Sequence, residues 1–181
     1  MARPLFGKRE IFIGRGATRG QGLCEIEIQD LRPPSPDYAA RLRRPATSGR
    51  LAFTATLLSP CVVYDRYLCV RPFLEAEDIA AAAAQPGALK GFDRVRWYSR
   101  QMIISGWNAQ AGLPKSDILA IAPGSAFLFE KAISPSEVEG EVATLAAVLS
   151  QAGYGVGERW AEGFGEIWFQ DKFHWEYRYA N

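Results

Sequence analysis

Two stretches of this chain set arginine among closely spaced glycines. One runs Gly14-Arg15-Gly16-Ala17-Thr18-Arg19-Gly20-Gln21-Gly22; the other spans residues 153–165 and carries Arg159, Trp160, Gly163, Phe164 and Gly165. Glycine admits positive φ and close backbone approach, and successive N–H groups in such turns form anion-binding concavities. A guanidinium beside them matches phosphate oxygens in a planar fork. The chemistry implied is the holding of a polyanion, with no bond made or broken. A solvated β-turn explains one such loop, but two copies, each running into an apolar strand, favour RNA.

A third group alternates along the chain. Arg94, Arg96, Tyr98 and Arg100 fall on one side of an expected strand over residues 95–104, with Val95, Trp97 and Ile103 on the other. That basic face suits the wet side of an edge strand and an RNA-binding face equally. Trp107, Trp160 and Phe164 are candidates for stacking on bases, with a core or interface role as the alternative.

Catalytic candidates are few. His174 is the single histidine and titrates near neutrality, but its aromatic-rich surroundings in sequence offer no partner acid, so a structural role is expected. Asp65 lies in an expected hairpin and is read as a turn residue bonding its own backbone. Gly155-Val156-Gly157 lacks the Gly-Lys-Ser/Thr ending of a nucleotide-binding loop. Cys24, Cys61 and Cys69 stand in apolar contexts without metal-ligand spacing and are expected to be buried thiols. No metal site and no cofactor are expected, and a non-enzymatic role is favoured over ribonuclease activity.

The elements that must position these residues follow from pattern. With 181 residues, 48% of them hydrophobic, the chain is long enough to bury a core. No apolar run approaches the ~20 residues of a membrane span and the start lacks a signal-peptide core, so a cytoplasmic protein is expected. A net charge of +1 conceals a gradient: residues 1–50 hold ten Lys/Arg against five Asp/Glu, and residues 101–181 hold five against ten. Partners of both signs would account for it.

Residues 9–13 and 23–28 are expected to form a hairpin around the first glycine loop. Residues 31–50, rich in Pro and Arg, read as a linker or long surface loop. A strand over 51–58, a short hairpin over 61–70 and a helix over 75–85 come next. Strands over 118–122 and 126–130 precede a helix that opens at Ser134, Pro135 and Glu137 and runs to Gln151. The glycine loop, a strand over 166–170 and a terminal strand over 173–179 complete the chain. From residue 51 the order is strand, helix, strand, strand, helix, strand: an α+β, ferredoxin-like βαββαβ domain whose four antiparallel strands carry both helices on one face.

That order, with a glycine-rich loop between the last helix and last strand, resembles the RAMP superfamily of CRISPR-associated proteins. The loop at 14–22 looks like the one closing a preceding RAMP domain, and residues 51–65 are similar to the opening strand of the next. Ser105-Gly106-Trp107-Asn108, Gly112-Leu113-Pro114-Lys115 and Pro123-Gly124-Ser125 look most like the type III-D RAMP subunit in the group-five position. The resemblance implies three parts: residues 1–30 as the end of a partial RAMP domain, 31–50 as linker, and 51–181 as a ferredoxin-like RAMP domain. It implies an RNA-binding subunit of a type III effector ribonucleoprotein that holds the crRNA 5′ handle and adds Lys115 to the RNA-contacting set. Its partners would be the crRNA, other RAMP subunits, the large subunit, and a chain completing the first RAMP domain. The alternatives are a metal-independent endoribonuclease using His174 and a structural connector that touches no RNA.

Overall fold

In a computed structural model, residues 7–12, 23–28, 37–43, 49–108, 110–152 and 155–176 are described. The chain divides into two units, Met1–Ser35 and Pro36–Asn181. In the first, β1 (Gly7–Phe12) pairs antiparallel with β2 (Leu23–Ile28), Phe12 opposite Leu23 and Gly7 opposite Ile28. The hairpin expected there is present. The loop it encloses, with Gly14, Arg15, Gly16, Thr18, Arg19, Gly20 and Gly22, lies outside the described residues.

The second unit opens with a helix where a linker was expected: α1, Tyr38–Arg43. Asp37 caps it, its carboxylate accepting the Ala40 N–H at 2.9 Å, and Tyr38 and Leu42 are buried in the core. The Pro and Arg content hid an N-cap aspartate followed by two apolar residues one turn apart.

Then follow β3 (Arg50–Leu57), α2 (Ala76–Ala82), β4 (Asp93–Tyr98), β5 (Gln101–Asn108), β6 (Leu113–Ile121), β7 (Ala126–Ala132), α3 (Val138–Ala152), β8 (Ile167–Phe169) and α4 (Phe173–Glu176). The main sheet has the order β4-β7-β3-β8, and every neighbouring pair in it is antiparallel. With α2 between β3 and β4 and α3 between β7 and β8, this is the ferredoxin-like fold expected from the sequence. β5 and β6 form a separate hairpin inserted between the second and third strands of that plan.

One face of the sheet carries the core. Phe53 stacks on Phe129 with centroids 4.9 Å apart and meets Phe92 edge-on at 5.3 Å. Ile79 and Ala80 of α2 and Val142, Leu145, Val148 and Leu149 of α3 close over them. Each helix is started by side chains. The Glu75 N–H donates to Asp78 at 2.8 Å, and the Ser134 hydroxyl and N–H both donate to Glu137, at 2.6 and 3.2 Å.

Two further expectations are corrected. The strand expected over 95–104 is two strands, because the chain turns at Ser99-Arg100, where the Arg100 N–H donates to the Ser125 hydroxyl at 3.2 Å. The terminal strand expected over 173–179 begins as helix α4, capped by Asp171 through a 3.0 Å bond from the Phe173 N–H. Residues 177–179 lie outside the described residues. Of the three cysteines, Cys61 is buried, Cys24 half-buried and Cys69 exposed, so burial does not hold for all.

Candidate functional site

The basic strand face expected from simple alternation is divided by a β-bulge. β4 pairs Arg94 with Phe129 and then Arg96 with Leu128, which leaves Val95 extra and moves Arg94 to the side opposite Arg96 and Tyr98. Arg94 therefore lies on the core side. Its Nη1 donates to the Leu74 carbonyl at 2.7 Å and to Glu75 at 3.0 Å, and its guanidinium stacks 3.8 Å from the Phe73 ring and 4.6 Å from the Trp97 ring. Arg94 ties β4 to the start of α2.

Arg96 and Tyr98 face the other way. Residues paired directly across antiparallel strands share a face, so the register builds two rows on the side away from the helices. Arg96, Leu128 and Thr54 form one; Tyr98, Ala126, Thr56 and Trp168 form the other. Beyond β8 the chain turns at Gln170, whose φ is 52°, and swings α4 onto this face. Gln170 is buried and completes the edge of β3. Its N–H donates to the Thr54 carbonyl at 3.0 Å and its side-chain oxygen accepts the Thr54 N–H at 3.2 Å.

The turn places His174 over β3, with Nε2 at 2.9 Å from the Thr56 hydroxyl. Arg96, Tyr98, Thr54, Leu128, Phe173 and His174 then line a cleft of about 610 Å³. It offers a cation, an exposed phenol ring, an imidazole bonded to a hydroxyl, and apolar walls. Those are groups for a phosphate, a base and a ribose. The far end of the face is less suited to a polyanion, since Asp93 sits opposite Glu130 there and, among the described residues, only Glu130 is answered, by Arg50 at 3.3 Å.

Thr54, Thr56, Phe173 and the partner of His174 were not singled out from the sequence. The one local signal for the threonines is their alternation with Phe53, Ala55 and Leu57 along β3. His174 and Thr56 lie 118 residues apart, and no local pattern links them.

The second glycine loop departs most from expectation. Its amides bond the loop to itself and to the segment after β3: Val156 N–H to the Gly165 carbonyl at 2.8 Å, Glu158 to Val62 at 2.8 Å, Gly165 to Pro60 at 2.8 Å, Gly163 to Trp160 at 3.0 Å. Gly157 and Gly165 serve close backbone crossing. A Cβ on Gly165 would sit 2.9 Å from the Val156 carbonyl carbon, and one on Gly157 would collide with the Val62 carbonyl. Arg159 is engaged too, its Nε donating to Glu162 at 2.9 Å while the guanidinium stacks 4.6 Å from the Phe164 ring. That bond holds the Glu162 carboxyl below its usual range.

The remaining candidates sit elsewhere. Arg100 is exposed in the turn after β4, Trp107 is exposed on β5 opposite Pro114, and Lys115 lies across Gly106 on β6. Trp160 is exposed in a 3₁₀ turn, Trp160–Glu162, that ends at Gly163. Asp65 holds a turn as expected, accepting the Tyr67 and Cys69 N–H groups at 2.8 and 2.9 Å. Among the described residues no helix is long and apolar enough to cross a membrane.

No family model matches this chain, and no curated protein matches it. Among solved structures it is similar to a Cas6 product complex, with TM-score 0.51 and 14% identity over 92% of this chain and 70% of that one. A Cas6 substrate mimic complex matches with TM-score 0.42 and 16% identity over 71% of this chain and 56% of that one. The first likeness is one of fold: an α+β, ferredoxin-like architecture.

Proposed function

We propose that this chain is an RNA-binding subunit of a CRISPR-associated ribonucleoprotein and that RNA lies on the open face of its ferredoxin-like sheet. The observation that carries the reading is the cleft in which Arg96 and Tyr98, two residues apart on the open side of β4, meet the Thr56–His174 pair. Arg96 supplies the phosphate contact, Tyr98 the stacking surface, and the threonine hydroxyls a polar edge toward ribose or base. The motifs at 105–108, 112–115 and 123–125 refine this to a type III effector subunit that holds the crRNA 5′ handle against other RAMP subunits and the large subunit. In that role Arg100, Trp107 and Lys115 extend the RNA path, and the loop at 14–22 contributes RNA contacts of its own.

Binding of repeat-derived RNA to the purified chain, measured by anisotropy across a salt series, tests the proposal. Arg96→Ala with Tyr98→Ala should weaken binding by more than tenfold, from one phosphate contact and one stacked base at ~1–3 kcal/mol. Equal affinity for parent and double variant at every salt concentration would remove the open face from the function.

A second reading rests on one further observation. His174 Nε2 lies against a hydroxyl in the same cleft as a guanidinium. An imidazole placed to take a proton from a 2′-hydroxyl, with Arg96 to receive the developing phosphate charge, would make the chain a metal-independent endoribonuclease. Cleavage of repeat RNA in EDTA that disappears in His174→Ala is the expected sign, and intact RNA in both proteins would refute it.

A further inference from the structure

The helix-covered side of the same unit holds a second cavity, of about 540 Å³, lined by small residues such as Ala81 and Gly157, by Tyr64 and Trp160, and by Gln151 and Glu158. The charged residues on its wall, Asp78 and Glu158, are both acidic. α3 ends at Ala152 with Gln151 on the cavity wall, and α2 ends at Ala82 beside Ala81; neither helix has a basic residue in its last turn. The carbonyl ends of helices carry partial negative charge, and here no lysine or arginine of their own answers it. Glu158 is exposed and makes no ion pair among the described residues, and its backbone is held at the cavity by its N–H bond to the Val62 carbonyl at 2.8 Å. The nearest other charges are already matched, Asp78 by Arg71 and Arg159 by Glu162.

Two aromatic rings complete the arrangement, Trp160 63% exposed and Tyr64 36% exposed, beside a carboxylate. Ring faces and an unpaired carboxylate attract a planar organic cation, and the same charge repels phosphate. The feature that placed Trp160 among RNA contacts, an exposed ring in a glycine loop, therefore points to the opposite charge.

We propose that this cavity docks an arginine side chain presented by a segment of another protein, with the guanidinium between Tyr64 and Trp160 and paired to Glu158. The cavity is larger than one guanidinium requires and takes the residues flanking it as well. RNA and protein then engage opposite sides of one sheet.

A fluorescein-labelled arginine-rich peptide titrated with the full chain tests this, beside the same peptide carrying citrulline in place of arginine. The arginine peptide should bind and the citrulline peptide should not. Glu158→Gln should weaken binding about tenfold, as for loss of a charged hydrogen bond, and Trp160→Ala about fivefold. Trp160→Phe should retain it, and RNA affinity should be unchanged in Glu158→Gln. Equal binding of the two peptides, absence of binding, or indifference to both Glu158→Gln and Trp160→Ala would overturn the proposal. Displacement of the peptide by equimolar spermidine would assign the site to a free polyamine and overturn its protein-borne source.

Discussion

Replacing Gly165 with alanine distinguishes a loop that offers its amides to a ligand from one whose amides close on the protein. Gly165 and Gly163 both have positive φ, 72° and 86°, so alanine at either position takes the left-handed cost of about 1–2 kcal/mol. They differ in space. Nothing lies within 4 Å of a Cβ on Gly163, whereas a Cβ on Gly165 would be 2.8 Å from the Val156 nitrogen and closer still to its carbonyl oxygen. Relief of that clash must part the crossing strands and weaken two bonds, Val156 N–H to Gly165 and Gly165 N–H to Pro60, each 2.8 Å long. At about 1 kcal/mol per bond, the total for Gly165→Ala is roughly 3–4 kcal/mol. For a chain of this size that lowers Tm by roughly 6–16 °C, against roughly 2–8 °C for Gly163→Ala. Thermal and urea denaturation of the two variants, with RNA affinity measured on each below its transition, give the comparison. Equal stability of the variants together with lost RNA affinity in both would refute the argument and restore the loop to the ligand.

Three further outcomes are expected. Arg96→Ala should flatten the salt dependence of RNA binding by about one unit of slope with little change in Tm, while Arg94→Ala, which loses its bonds to Leu74 and Glu75 and two stacked rings, should lower Tm and leave RNA affinity unaltered; the reverse pattern would contradict the bulge. The Ser134 hydroxyl and N–H hold the Glu137 carboxyl below its usual range, so the contact stabilises the fold above that range and is lost as pH falls through the lowered pKa. Ser134→Ala should thus be less stable than the parent at pH 7, with the difference shrinking below about pH 4; a gap independent of pH would be inconsistent with this. Burial, with the nearby Asp78 charge, pushes the Cys61 thiol up to about 12, and its Sγ donates to the Val156 carbonyl at 3.2 Å. A thiol reagent at neutral pH should therefore modify exposed Cys69 in the folded protein and reach Cys61 only after unfolding, as read by peptide mass mapping.

Local pattern determined the ferredoxin-like order of this chain. Phe53, Ala55 and Leu57 alternate along β3, Val142, Leu145 and Leu149 recur at helical spacing along α3, and Ser134 with Glu137 marks where that helix begins. These signals are local because period, capping and turn chemistry act over a few residues. Such signals extended to the hairpin of β1 and β2 and to the turn at Asp65, but missed α1, whose Asp37 cap was obscured by the prolines around it.

Tertiary structure alone decided the site. Strict alternation puts Arg94, Arg96, Tyr98 and Arg100 on one face, but a single extra residue against β7 reverses Arg94, and pairing register is set between strands, not within one. Glycine spacing announced a loop without saying whether its amides meet a ligand or the carbonyls of Pro60 and Val62, because that depends on a segment about a hundred residues away. His174 acquires Thr56 only after Gln170 turns the chain back across the sheet. The amino-acid order states which groups are available, and packing between distant segments determines which remain open to a partner.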